Sequence, residues 1–92
     1  MDNSAAAKTE NAFPLHTAAK GRSLTIIDIP DGWSRTQLIR FGILGGERVQ
    51  CLERLPGGTI VIEKNRQEIA IGAALAKTIL VAYADNGENS KR

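Results

Sequence analysis

One segment carries start and stop signals for a helix, and it constrains the fold of this chain more than any other feature. It reads WSRTQLIRFGILGGERV over residues 33–49. Ser34 and Gln37 have the spacing of a capping box, in which each side chain bonds to a backbone N–H group of the first helical turn. Trp33 and Leu38 have the spacing of a hydrophobic staple. The helix is therefore expected to begin just after Ser34.

The other end of this helix is marked by Gly42. Without a Cβ atom, a glycine adopts the left-handed conformation that commonly ends a helix. The segment thus predicts a helix over residues 35–41 that leads directly into a strand. Leu38 and Phe41 are three residues apart, so they share the face that the helix is expected to bury.

Short runs rich in β-branched residues surround the helix and are separated by glycine, proline and asparagine. They predict strands over residues 24–29, 47–55, 59–63, 68–71 and 78–83. Tight turns at 56–58 and 64–67 would join consecutive strands into antiparallel hairpins, and residues 72–77 form one predicted helical turn. We therefore expect a mainly β fold, in which a small antiparallel sheet curls into a barrel.

The size and composition of the chain fit one small globular domain. Its 92 residues are 42% apolar and 24% charged, with a net charge of +2. Residues 1–12 and 85–92 are polar and are predicted to be disordered tails of a domain at 13–84. The N-terminus lacks the apolar run of a signal peptide, and the apolar stretch at 69–84 is too short for a membrane helix. With a single cysteine, the chain is expected to act in the cytoplasm.

Residues for catalysis or metal binding are sparse. His16 is the only histidine and Cys51 the only cysteine. Cys51 and Glu53 would share one face of a strand, but an unpaired cysteine is more typically a small core residue. A catalytic triad would need His16 as its base, next to a frayed tail. We expect no enzyme, no catalytic residue and no resident cofactor or metal, and we leave open a weak or intermolecular metal site that involves His16 or a terminal carboxylate.

The arginines suggest an alternative interpretation, in which the chain binds an anionic partner. Four arginines could face phosphates: Arg35, Arg40, Arg48 and Arg54. They are interleaved in the sequence with the acidic residues Glu47 and Glu53. Such a mixed surface is typically solvated, whereas platforms for single-stranded nucleic acid stack bases on exposed aromatic residues. Phe13 and Tyr83 are the aromatic residues not assigned to the helix. A small barrel that binds nucleic acid or another anionic surface stays the alternative function.

Apolar residues beyond those that the helix needs predict a docking surface. Ile39, Ile43 and Leu44 have no assigned place in the core, and contiguous exposed apolar residues mark sites of protein association. We predict that the partner-binding residues are Leu38, Ile39, Arg40, Ile43 and Leu44. Leu38 would act from beneath, by holding the helix.

Several segments together resemble the FeoA family, small cytosolic proteins associated with bacterial ferrous iron uptake. The resemblance covers residues 13–83 and is carried by PLHTAAKG (14–21), LIRFGILGGERV (38–49), LPGGTIVIE (55–63), IAI (69–71) and AKTILV (76–81). It implies an SH3-like small antiparallel β-barrel with one short α-helix after the first strand and a helical turn before the last strand. The same domain type occurs at the end of some metal-dependent repressors, but this chain has no room for their DNA-binding helices.

The resemblance also implies a partner. Family members are thought to assist FeoB, a membrane-embedded iron transporter with a cytosolic GTPase domain. We expect a non-enzymatic accessory protein that reaches the inner face of the membrane only through this partner and binds no nucleic acid, and we leave open weak or transient binding of ferrous iron or zinc. The chain departs from the family pattern in its shorter turn at 56–58. At Gly72, Ala73 and Ala74 it has small residues in place of the usual charged ones, which allows a homo-oligomer.

Overall fold

The computed structural model describes residues 11–84 of the chain. Its elements follow in this order: β1 (Phe13–Pro14), a 3-10 helix (Leu15–Thr17), β2 (Ser23–Asp28), α1 (Trp33–Arg40), β3 (Arg48–Arg54), β4 (Ile60–Lys64), β5 (Gln67–Ile71), α2 (Ala73–Ala76) and β6 (Leu80–Tyr83). All the strands and helices predicted from the sequence are present, with ends that differ by one or two residues. The tails predicted at 1–12 and 85–92 lie outside the described residues, apart from Asn11 and Ala12.

β1 and the 3-10 helix have no counterpart among the predicted elements. Phe13 and Pro14 pair with two residues of β6, and the Leu15 N–H donates to the Ile79 carbonyl at 2.8 Å. Pro14 has no N–H, so its strand suits only the edge of a sheet. A two-residue strand shows no alternation of apolar and polar residues. Tertiary pairing alone therefore fixes its position.

One antiparallel sheet contains all six strands, in the order β1-β6-β2-β3-β4-β5. The expected mainly β fold is confirmed. Within residues 11–84, the two edge strands β1 and β5 do not pair with each other, so the barrel stays open along that line.

Both predicted hairpin turns are confirmed. The turn between β3 and β4 has Gly57 and Gly58 in the left-handed region, at φ 92° and 99°. The turn between β4 and β5 is formed by Asn65 and Arg66, with φ 53° and 68°. Positive φ at both central residues is typical of a type I′ turn, whose twist matches that of the flanking strands.

The inner face of the sheet forms an apolar core. Alternate residues of the strands are buried there, among them Leu24, Ile26, Val49, Cys51, Ile60, Ile62 and Val81. Leu15, Ala76 and Ile79 extend the same cluster beyond the strands. Within residues 11–84, no polar or charged residue is buried. The core therefore stabilises the fold and leaves chemistry to the surface.

A β-bulge in β3 overturns the expectation that Cys51 and Glu53 share a face. Cys51 pairs with Ile62, but Glu53 pairs with Val61, so Leu52 is an extra residue in the ladder. One inserted residue shifts the alternation, and the following side chains change face. Cys51 is fully buried, as expected for a core residue, whereas Glu53 is exposed.

Candidate docking surface

Helix α1 begins two residues earlier than predicted. Its N-cap is Gly32, which has no side chain to form a cap, and the Thr36 N–H donates to the Gly32 carbonyl at 3.2 Å. Ser34 consequently lies within the first turn, so the predicted capping box is wrong. The Arg35 guanidinium steadies the turn before the helix by donating to the Ile29 carbonyl at 3.2 Å and to Asp31 Oδ1 at 3.4 Å.

The C-terminal end of α1 matches the prediction. Gly42 has φ 80°, and its N–H donates to the Ile39 carbonyl at 2.9 Å. The next N–H, of Ile43, reaches back to the Leu38 carbonyl at 3.0 Å. These two bonds make a Schellman motif, in which a left-handed residue satisfies the last carbonyl groups of a helix.

Leu38 is the one residue of α1 that is buried. Trp33 is the first residue of the helix, whereas a staple residue precedes the N-cap, and it is 76% exposed. The predicted staple between Trp33 and Leu38 is therefore wrong. Phe41 is 42% exposed, so only one of the two residues predicted to form a buried face is buried. A helix that packs through one central leucine leaves its other apolar residues exposed, here Trp33 at 76% and Ile39 at 45%.

The five residues predicted to bind a partner separate into two groups. Ile39 and Leu44 are 45% and 36% exposed, and Arg40 is exposed as well. Leu38 and Ile43 are buried, at 5% and 0% exposure. For Leu38 this agrees with the predicted supporting role. The expectation that Ile43 lies on the surface is wrong, because the Schellman motif turns this residue back over Leu38 into the core.

An apolar groove of about 270 Å³ runs between α1 and the edge strand β5. Trp33 and Phe41 line it on the helix side, Ile69 and Ala70 line it on the strand side, and Leu75 of α2 contributes as well. No charged side chain of residues 11–84 lines this groove. Sequence reasoning missed it because Trp33 and Phe41 were assigned to the interior. The indole of Trp33, an amphipathic ring enriched at interfaces, was the available signal.

The aromatic residues considered for base stacking are engaged within the domain. The ring centroids of Phe13 and Tyr83 are 4.7 Å apart, and the Arg22 guanidinium carbon lies 3.9 Å from the centroid of the Tyr83 ring. The Tyr83 hydroxyl also accepts a hydrogen bond from the Ala19 N–H at 3.0 Å. A flat stacking platform would require these contacts to break.

Glutamates neutralise part of the basic surface. Lys64 Nζ lies 2.9 Å from Glu47 Oε1, and Lys20 Nζ lies 3.4 Å from Glu53 Oε1. The sequence interpretation of a mixed-charge surface therefore fits the geometry. Arg40, Arg48 and Arg66 form no ion pair with another residue of 11–84.

Possible metal ligands are scattered over the described domain. Within residues 11–84 no three His, Cys, Asp or Glu residues come together as a metal-binding group. Burial raises the pKa of the Cys51 thiol above its ordinary value, an effect that nearby Arg54 opposes and Glu53 reinforces. Because the thiolate is the form that binds metals, this raised pKa disfavours Cys51 as a ligand. Across the described residues, none of the helices has the length and apolarity needed to cross a membrane.

Comparison with known proteins settles the family. The FeoA domain model matches residues 13–83, nearly the whole described domain. The chain belongs to the FeoA family. A crystal structure of an iron uptake regulatory protein, FeoA, is 30% identical with a TM-score of 0.69, and the match covers 78% of this chain and 97% of that one. No curated protein matches the sequence.

More distant structures share the fold of this FeoA-family chain. The solution structure of FeoA from Chlorobium tepidum is 20% identical with a TM-score of 0.71, and the match covers 82% of this chain and 75% of that one. A manganese-dependent transcriptional repressor is 23% identical with a TM-score of 0.68, covering 78% of this chain and 41% of the repressor. The expected SH3-like fold is thereby confirmed. The FeoA family consists of small accessory proteins of ferrous iron transport and is not a known family of enzymes.

Proposed function

We propose that this chain promotes ferrous iron uptake by docking on the cytoplasmic domain of an FeoB-type membrane transporter. The observation that carries the proposal is the exposed apolar surface of a helix held by one buried leucine. Ile39, Arg40 and Leu44 keep their predicted role as contact residues, and Leu38 supports them from beneath. Trp33 joins the surface because its side chain is 76% exposed.

The physical basis of this docking is burial of apolar surface. A fully buried isoleucine or leucine side chain contributes about 1.5 to 3 kcal/mol relative to an exposed one. Ile39 and Leu44, at 45% and 36% exposure, gain only part of this in the monomer, and Trp33, at 76% exposure, gains the least. A partner that covers them supplies the missing burial, and the aromatic ring is typical of the residues that dominate binding energy at interfaces. The chain then acts at the cytoplasmic face of the membrane through its partner.

Calorimetric titration against the purified cytoplasmic domain of the transporter tests this proposal. Ile39→Asp places a charge among the exposed apolar residues of α1 and should weaken binding at least about tenfold, equivalent to about 1.4 kcal/mol. Leu55→Asp is the matched control, because Leu55 is also apolar and 41% exposed but lies at the β3–β4 turn. Equal binding by wild type and a folded Ile39→Asp variant would show that the surface is wrongly assigned.

The alternative function, binding of single-stranded nucleic acid or another anionic surface, predicts a different result. Its affinity would depend steeply on salt, because each phosphate contact releases counterions. Titration with mixed-sequence RNA and single-stranded DNA at low salt distinguishes the two. Salt-sensitive binding near micromolar, together with no binding to the transporter domain, would replace the docking proposal.

A further inference from the structure

The outer edge of β5 carries backbone groups that no other strand of residues 11–84 pairs with. Lys64 and Gln67 flank a two-residue turn, so they form a hydrogen-bonded pair, and every second residue after Gln67 repeats its orientation. Ile69 therefore directs its N–H and C=O groups towards β4. Glu68 and Ala70 direct theirs away from the sheet. An unpaired edge of this kind is a template for one more strand.

The apolar groove lies beside the same edge. Ile69, Ala70 and Ile71 line it on the strand side, and Trp33 and Phe41 line it on the helix side. A strand added to β5 would lie about 4.8 Å from it and would direct alternate side chains to the inner face of the sheet, where the groove is. The groove lining has no charged side chain of residues 11–84. The edge and the groove together therefore require a strand whose inner-face residues are apolar.

β5 itself has this pattern. Ile69 and Ile71 are its apolar inner-face residues, and Ala70 between them is small and uncharged. A two-fold axis between two copies would set one β5 edge against the other and would direct the isoleucines of each copy towards the groove of its neighbour. Because the edge and the groove adjoin on one molecule, a single two-fold contact fills both. This is the self-complementarity that an isologous dimer requires.

Charge selects the register of such a pair. In antiparallel pairing of two β5 edges, the outward-facing residues can oppose Glu68 with Glu68, Glu68 with Ala70, or Ala70 with Ala70. The first register opposes like charges directly, and the second leaves the two glutamates as diagonal neighbours, about 7 to 8 Å apart. The third opposes Ile69 with Ile71 and Glu68 with Gly72. Only this third register separates the carboxylates and pairs apolar residues on the inner face.

The expected contact is small. Trp33 and Phe41 supply most of its aromatic surface, at 76% and 42% exposure. One five-residue strand and one groove per copy should bury less than the roughly 1,200 Å² at which stable interfaces begin, and contacts of that size are typical of weak association. We therefore expect a dimer dissociation constant of about 1 to 100 µM.

We propose that two copies of this chain associate through an antiparallel β5–β5 pair centred on Ala70, with Ile69 and Ile71 of each copy covering the groove of the other. Main-chain hydrogen bonds between the two edges fix the register, and burial of the groove supplies the free energy of association. The small residue Gly72 also lines the groove. The homo-oligomer that the sequence allowed at this segment thereby takes a definite form.

This inference goes beyond the proposed function and does not depend on it. Ile39 and Leu44 do not line the groove, so the dimer leaves them exposed for the transporter. Trp33 borders both surfaces. Each dimer would present two docking faces.

Sedimentation equilibrium of the full chain between about 1 and 100 µM tests the inference, and the dimer fraction should rise across this range. Trp33 is the only tryptophan, so its emission should move to shorter wavelengths as the groove is covered. Ala70→Pro removes the outward N–H, which the β4–β5 ladder does not use, and prolines are tolerated on edge strands. It should raise the dimer dissociation constant at least about tenfold, whereas the control Ala70→Ser should stay within about twofold of wild type.

A cross-link gives a second readout, which holds even if Ala70→Pro does not fold. In the proposed register the two Ala70 Cα atoms lie about 5.5 Å apart, a separation that a disulfide spans. Ala70→Cys should therefore form a covalent dimer with oxidised glutathione. Ala19→Cys, at an exposed position outside β5 and the groove, is the control for random collisions and should form it much more slowly. The native Cys51 is fully buried.

Each of three results would overturn the inference: a monomer at about 100 µM, a folded Ala70→Pro variant that dimerises as wild type does, or cross-linking of Ala70→Cys no faster than that of Ala19→Cys. Hydrogen exchange of the Ala70 amide then identifies the true occupant. Slow exchange in the monomer would mean that another segment of the same chain covers the edge, and slow exchange only with the transporter domain would mean that the transporter does. Because dimerisation is measured without the transporter, failure here leaves the docking proposal standing.

Discussion

The Ile43 N–H donates to the Leu38 carbonyl at 3.0 Å, and both side chains are buried. This pair closes the C-terminal end of α1 and fixes the helix to the core at the same point. Ile39, which lies between them in sequence, is left exposed. The pair therefore determines which apolar residues reach the surface.

The end of the helix depends on the left-handed conformation of Gly42. Gly42→Ala should lower the free energy of unfolding by about 1 to 2 kcal/mol, because a residue with a Cβ atom is strained at φ 80°. Gly45→Ala is the control, since Gly45 is not in the left-handed region. A Cβ atom there would lie 3.5 Å from the Ile27 carbonyl oxygen, which is an ordinary contact distance. Urea unfolding of both variants makes the comparison. Equal destabilisation would contradict the role given to Gly42.

Truncation of the buried residues Leu38 and Ile43 should destabilise the fold more than truncation of the exposed residue Ile39. Leu38→Ala and Ile43→Ala should each lower the free energy of unfolding by about 2 to 5 kcal/mol, because each leaves a cavity in the core. Ile39→Ala should change it by less than about 1 kcal/mol, since that side chain is 45% exposed. Chemical denaturation of the three variants measures these values. A small effect at Ile43 would restore it to the surface, as the sequence had suggested.

Arg66 occupies a position that glycine fills at lower cost. Its φ of 68° lies in the left-handed region, and type I′ turns favour glycine at this second position. Arg66→Gly should raise the free energy of unfolding by about 0.5 to 1 kcal/mol. Arg66→Val also removes the charge but should be destabilising, because β-branched residues are strained at positive φ. If both variants changed stability alike, charge and not backbone conformation would be the cause.

The raised pKa of Cys51 makes stability depend on alkaline pH. Burial favours the neutral thiol in the folded protein, so the unfolded chain loses this proton at lower pH than the native state. The stabilisation is present below the ordinary thiol pKa of about 8.5 and is lost as pH rises through the raised value. The free energy of unfolding should therefore fall more between about pH 8 and pH 10 in wild type than in Cys51→Ala. Parallel slopes for the two proteins would contradict this assignment.

Signals confined to a few neighbouring residues were the ones that could be predicted from the sequence. The end of α1 at Gly42 and the Asn65-Arg66 turn depend on local backbone conformation, and both were found where expected. The start of α1 was misplaced, because Ser34 and Gln37 have capping side chains but the backbone had already turned at Gly32. A side-chain pattern does not show which residue the chain uses as its cap.

Exposure was the least predictable property, because it depends on residues far away in the sequence. Phe41 and Ile43 are both apolar and lie two positions apart, yet the first faces the groove and the second the core. Strands β2 to β6 decide which of them is covered. The bulge at Leu52 likewise arises from pairing with β4, and it moved Glu53 to the face opposite Cys51. The candidate surface consequently lost Ile43 and gained Trp33.

Uptake of radiolabelled ferrous iron tests the central claim most directly, in cells that lack this protein and express the Ile39→Asp variant or its control Leu55→Asp at equal abundance. If the exposed face of α1 docks on the transporter, Ile39→Asp should lower uptake to the level of cells without the protein, while Leu55→Asp should restore it to the wild-type level. Full uptake with Ile39→Asp, or equal loss with both variants, would contradict the account.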